Sequence, residues 1–101
     1  MSYYWTQRAR TMAAALGITP ADVTDVLYSP AKLVMNGTDN GTRVLLFWAR
    51  TSAGRPLIIT LRADDEADEE EDTGIVDYLI RSVYDMQSYE LGIFAEWEQN
   101  Q

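Results

Sequence analysis

The sequence predicts an α+β fold in which two helices precede an antiparallel sheet and a third helix closes the chain. Three observations predict it. Trp5, Ala9, Met12, Ala13 and Leu16 recur at helical spacing. Two apolar runs, "RVLLFWAR" and "RPLIITLR", are separated only by "TSAG", the pattern of a β-hairpin. Near the end, Met86, Tyr89, Ile93 and Trp97 fall on one helical stripe, which predicts an amphipathic helix over 86–99.

Taken in order, the first helix follows the stripe from Trp5 to Leu16, and Gly17 stands where a left-handed residue ends a helix. "TPADVTDVLYSP" carries the second. Thr19 is its N-cap, Pro20 its first-turn residue, and Asp22 sits at the third position, where its charge meets the positive helix end. Val23, Val26 and Leu27 form its buried face and Pro30 stops it. "KLVMN" reads as a brief strand and "NGTDNGT" as a turn cluster with two Asn-Gly pairs, at Asn36 and Asn40. The almost unbroken apolar run Arg43–Arg50 reads as a central strand covered on both faces. The run Arg55–Arg62 returns antiparallel to it. In "GIVDYLIRSVYDM", Ile75, Val76, Leu79, Ile80 and Val83 fit a helical stripe, while the Ile, Val and Tyr content fits a strand. Periodicity alone gives helix a slight edge.

Composition narrows the chemistry. With 101 residues, 47% of them hydrophobic, the chain has the material for one domain, 1–101, with an unstapled core. Cysteine and histidine are both absent, which excludes disulfides, thiolate metal sites, cysteine nucleophiles and the commonest general base. Acid–base chemistry is left to carboxylates, Tyr, Lys and Arg. We expect no metal and no small-molecule cofactor. The beginning lacks the apolar core of a signal peptide, and no stretch approaches the roughly 18 apolar residues of a membrane span. The expectation is a cytoplasmic protein with no membrane association, whose Asn-Gly-Thr sites are turns rather than glycan acceptors.

The net charge of −8 is unevenly spread. Eight of the sixteen acids lie in Asp64–Asp72, so the rest of the chain is neutral. An acidic total disfavours tight binding to a phosphate backbone, yet a neutral body with clustered arginines leaves room for a local nucleic-acid site. The run lacks the Asp-x-Asp-x-Asp-Gly spacing of a calcium loop. Like charges with little apolar surface to order them predict a solvated acidic loop at 64–73.

The segments "LGITPADVTDVLYSP", "FWARTSAGRPLIITLR" and "YLIRSVYDMQSYEL" together resemble the BrnT-like toxins and their relatives in the RelE-type superfamily. The match covers most of the chain apart from the acid run. Its hairpin elements are Arg50, Thr51, Gly54, Arg55 and Leu57. Its last strand is Tyr78–Tyr84, followed by Met86 and Glu90 on a helix. The resemblance implies that 76–84 is a strand, against the periodicity. The expected fold is then two N-terminal helices, a four-stranded antiparallel sheet and a C-terminal helix, with the helices against one face. It also implies a metal-independent endoribonuclease that activates a ribose 2′-hydroxyl against the adjacent phosphate, or an inactive relative. Such chemistry needs cations for the phosphorane and a group to move a proton. Arg50, Arg55, Arg62 and Arg81 are the candidate cations, and Tyr84 and Glu90 the candidate proton carriers.

Where the family's last strand ends in arginines, this chain has Val83, Tyr84 and Asp85. That difference, with the acidity, favours a non-catalytic relative that binds a macromolecular partner, such as an antitoxin or a host protein, as an accessory factor of a phage or mobile element. The alternative is an mRNA interferase of a toxin–antitoxin pair, with RNA as substrate. Replacing the carboxylates of 64–72 with Ser and Gly is expected to change fold stability by less than roughly 1 kcal/mol. The same variant is expected to bind RNA more tightly at low salt, with a steeper salt dependence. Filter binding at two salt concentrations checks this, and an unchanged RNA affinity would rule out a screening role for the run.

Overall fold

The structure, a computed structural model, describes residues 2–63 and 77–101. The elements in chain order are β1 (Ser2–Trp5), α1 (Gln7–Leu16), α2 (Pro20–Leu27), β2 (Leu33–Asp39), β3 (Thr42–Arg50), β4 (Pro56–Ala63), β5 (Asp77–Asp85) and α3 (Ser88–Gln99). The class is α+β as expected, but the sheet has five strands, not four, in the order β1-β5-β4-β3-β2. The additional strand is β1. It pairs parallel to β5, Tyr3 opposite Tyr78 and Trp5 opposite Ile80, so the sheet is mixed rather than purely antiparallel. Trp5 therefore belongs to a strand and not to the helical stripe assigned to it.

Thr6 is the reason the chain changes conformation there. Its amide and hydroxyl both donate to Ile80 O, at 3.3 and 2.7 Å, closing the pairing with β5. The same hydroxyl accepts from Ala9 N and caps α1. Gly17 ends α1 at φ +67°, as its position in the sequence predicts. Thr19 and Asp22 exchange side-chain and backbone hydrogen bonds of 3.1 and 2.9 Å across the first turn of α2, a reciprocal capping box.

Two apolar layers sandwich the sheet. Ala9 and Ala13 of α1, with Val23, Val26 and Leu27 of α2, pack on Phe47, Ala49, Leu57, Ile59, Leu61, Ile80 and Val83. The alternate residues Trp48 and Ile58 face the other way, with Phe94 and Met86 and flanked by Leu33, Leu46 and Trp97. The expectation that all helices share one face is therefore corrected. α1 and α2 cover one face and α3 covers the other, because the alternation in β3 and β4 is apolar on both sides and each side needs a cover.

The segment 76–84, expected as a strand, is β5, bounded at Asp77 and Asp85. Its helix-like spacing has a local cause. Thr60 pairs with Ser82 and Leu61 with Ile80, which leaves Arg81 as the extra residue of a bulge. The bulge returns Ile80 and Val83, three apart, to the same face, where both are fully buried. In the turn cluster only Asn40 and Gly41 turn, both at positive φ. Asn36 and Gly37, also expected there, lie in β2. A Cβ on Gly37 would stand 3.0 Å from Leu46 Cδ1, so glycine lets β3 side chains lie over the edge strand.

Phe94 anchors α3. It is fully buried, stacked on Trp97 at 5.5 Å between ring centroids, with the Arg50 guanidinium 5.6 Å from its own ring. Phe94→Ala is expected to cost about 3–5 kcal/mol, measured by urea denaturation, and to expose Trp48 to solvent as a red shift in fluorescence.

Candidate functional site

The six residues singled out in the sequence fall into three places. Arg50 and Arg55 flank the β3–β4 hairpin, Tyr84 and Glu90 lie where β5 passes into α3, and Arg62 and Arg81 lie further along β4 and β5. They do not form one cluster of free cations.

Arg50 is held by Glu98 of α3. Its Nε and Nη2 donate to the carboxylate at 2.9–3.2 Å, and Nη1 donates to Gly54 O at 3.2 Å. The Arg50 hydrogen bonds hold the Glu98 carboxyl below the usual carboxylate range. Arg55 works in the same way on the opposite side. Its Nε and Nη2 grip Asp85 at 2.7 and 2.9 Å, and its remaining donors reach Leu16 O and Gly17 O at 2.8 and 3.2 Å. Those carbonyls are at the C-terminal end of α1, which has no basic residue in its own last turn. Arg55 supplies the positive charge that this end of the helix dipole favours. The Asp85 carboxyl is likewise held down, chiefly by its hydrogen bonds from Arg55. In the same hairpin the Ser52 amide and hydroxyl donate to Asp25 of α2 at 3.0 and 2.8 Å. The hairpin "RTSAGR" thus fastens α1, α2 and α3 through three separate carboxylates or helix ends.

Tyr84 and Glu90 do adjoin. Glu90 is 6% exposed, and its Oε1 accepts from the Gln87 amide at 2.8 Å as part of the capping box of α3. Burial pushes the Tyr84 hydroxyl above its usual range, and the charge of Glu90 pushes it further. A phenol shifted that way is less available as a base at neutral pH. Arg81, the bulged residue, meets Asp39 of β2 at 3.4 Å. Arg62 has no ion pair with a described residue. The acidic loop expected at 64–73 lies outside the described residues.

Among the described residues no group of three or more carboxylates could hold a metal ion, and no helix is long and apolar enough to cross a membrane. Sequence reasoning missed Glu98, Asp85 and Asp25 as partners of the hairpin. Asp25 and Glu98 lie 27 and 48 positions from the residues they bind, and no local pattern links them. Comparison with models of known protein families finds no match. No curated protein matches the chain either.

Asp25, Asp85 and Glu98 all have carboxyl groups held down in the folded state. Groups of this kind contribute stability that is present above the unfolded-state value and is lost as pH falls through the folded one. Stability is therefore expected to decline below about pH 4. The double variant Asp85→Asn, Glu98→Gln should be less stable at pH 7 and show a shallower acid decline. Urea midpoints at pH 7, 4 and 3 measure both, and parallel acid declines in parent and variant would contradict the assignment.

Proposed function

We propose that this chain acts by binding a protein partner, an antitoxin or a host protein, as a non-catalytic relative of the BrnT-like and RelE-type toxins. The observation that carries the reading is the state of the hairpin cations. Arg50 and Arg55 each make two or more hydrogen bonds to a carboxylate of another element. A guanidinium already bound to a carboxylate in this manner is not free to stabilise a phosphorane. Asp85 stands where the resemblance expects a basic strand end, and it is the residue that holds Arg55.

Exposed apolar surface supports the binding role. Tyr89 and Ile93, four apart on the outer side of α3, are 71% and 50% exposed, and Val34 on the edge strand β2 is 48% exposed. Aromatic and aliphatic side chains grouped on one helix face are the usual anchors of a protein interface.

The alternative, an mRNA interferase, is favoured by the contact of Tyr84 with Glu90, which brings two proton-carrying groups together. The raised Tyr84 and the role of Glu90 as a helix cap weigh against it.

The purified chain is expected to leave a labelled RNA intact, with and without ribosomes. Arg50→Ala and Arg55→Ala should lower the thermal midpoint without altering that result. Rapid cleavage by the parent, lost in an Arg81→Ala variant that keeps its circular dichroism spectrum, would establish the ribonuclease instead. Complex formation with a partner should be lost in Tyr89→Ser, Ile93→Ser with the fold intact; a partner retained by that variant would place the interface elsewhere.

A further inference from the structure

On the face that α3 covers, the described residues leave part of the sheet open. Beyond Leu46 the sheet is open to a cavity of about 290 Å³, lined by Arg8, Thr38, Asp39, Thr60, Arg81 and Ser82 among others. Thr60 is only 7% exposed. Its hydroxyl and that of Ser82 make no hydrogen bond with a described residue. Both hydroxyls are therefore free to donate to a ligand in the cavity. The two guanidiniums are also weakly engaged. Arg8, exposed at the start of α1, has no ion pair among the described residues. Among the described residues Arg81 meets one carboxylate, Asp39, at 3.4 Å, whereas the Arg50 and Arg55 pairs close to 2.9 and 2.7 Å. Arg8, Arg81 and Asp39, the charged residues of its described lining, together carry one positive formal charge.

We infer that this cavity binds a small tetrahedral oxyanion, inorganic phosphate or a phosphate monoester, and that Asp39 is its built-in competitor. Arg8 and Arg81 donate to oxygens at the rim, where charge-assisted hydrogen bonds are strong. Thr60 and Ser82 donate from the floor. An anion with oxygens in more than one plane can use both sets at once, which a planar carboxylate cannot. On binding, the anion takes over the contact that Arg81 makes with Asp39, and Asp39 turns away. The bulge at Arg81 sets the geometry, because it brings Arg81 to the same cavity as its neighbour Ser82. The net charge of −8 opposes the approach of any anion. That repulsion is screened beyond about 8 Å at physiological salt, while the contacts in the cavity are not. This site is distinct from the partner surface of Tyr89 and Ile93 and does not depend on RNA cleavage.

The test is an amide NMR titration of the full chain with inorganic phosphate at constant ionic strength, with acetate in parallel. Saturable shifts are expected at Thr60, Arg81 and Ser82, with acetate weaker. Arg8→Gln and Arg81→Gln should each weaken phosphate by about tenfold. Asp39→Asn should tighten it by about fivefold, since it removes a charge beside the anion. If Arg81→Gln fails to fold, Arg8→Gln and Asp39→Asn decide the matter, because neither side chain is buried. Unsaturated or scattered shifts, or an Asp39→Asn variant that binds phosphate no more tightly than the parent, would overturn the inference. Acetate binding equal to phosphate would overturn the tetrahedral assignment.

Discussion

The grip of Arg55 on Asp85 and on the last carbonyls of α1 is the constraint around which the other elements are placed. It joins the start of β4 to the end of β5 and to the C-terminal end of α1. The same short hairpin carries Arg50 to α3 on the opposite face and Ser52 to α2. Each contact is exposed or partly exposed and stabilises the fold little by itself. Their value lies in register. The two apolar layers are non-directional and would tolerate sliding of a helix along the sheet, whereas a bidentate guanidinium accepts one position. The hairpin therefore sets where each helix sits, and burial of the apolar core, Leu57, Ile58 and Ile59 among it, supplies most of the favourable energy.

This arrangement also separates two kinds of arginine. Those of the hairpin are engaged by carboxylates in good geometry. Arg8 and Arg81, beside the cavity on the α3 face, have no such engagement among the described residues. Both kinds look alike in the sequence, as basic residues at the ends or bulges of apolar runs. What distinguishes them is whether a distant chain segment brings an acid within reach.

Much of the fold was legible because it rests on local chemistry. Gly17, Thr19, Pro20 and Asp22 announce the end of one helix and the start of the next, and they do what their positions require. The hairpin and β4 were equally plain. β1 was not, because four residues give no measurable period and Trp5 happens to continue the spacing of α1. Its aromatic content, Tyr3, Tyr4 and Trp5, was the available signal. The strand β5 was read correctly only against its own periodicity, since the bulge at Arg81 imposes a three-residue spacing that imitates a helix. Placement of α3 on the second face followed from the two-sided apolar pattern of β3, although the resemblance had suggested a single helical layer. Of the candidate site, the residue identities were legible and their engagement was not: Glu98 reaches Arg50 across 48 residues.

The parallel pairing of β1 with β5 has a consequence for how the chain is made. Thr6 bonds to Ile80, 74 residues later, so β1 has no partner until β5 has been made. Contacts of such long sequence separation form late. Until then Tyr3, Tyr4 and Trp5 are three consecutive aromatic residues on an unpaired segment, the kind of surface on which nascent chains aggregate. The stretch that follows, α1, α2 and the β2–β3–β4 meander, is built from near neighbours and can assemble in order of synthesis. β1 is thus the last part of the sheet to be fixed, and a chain cut before β5 would leave β1 undocked.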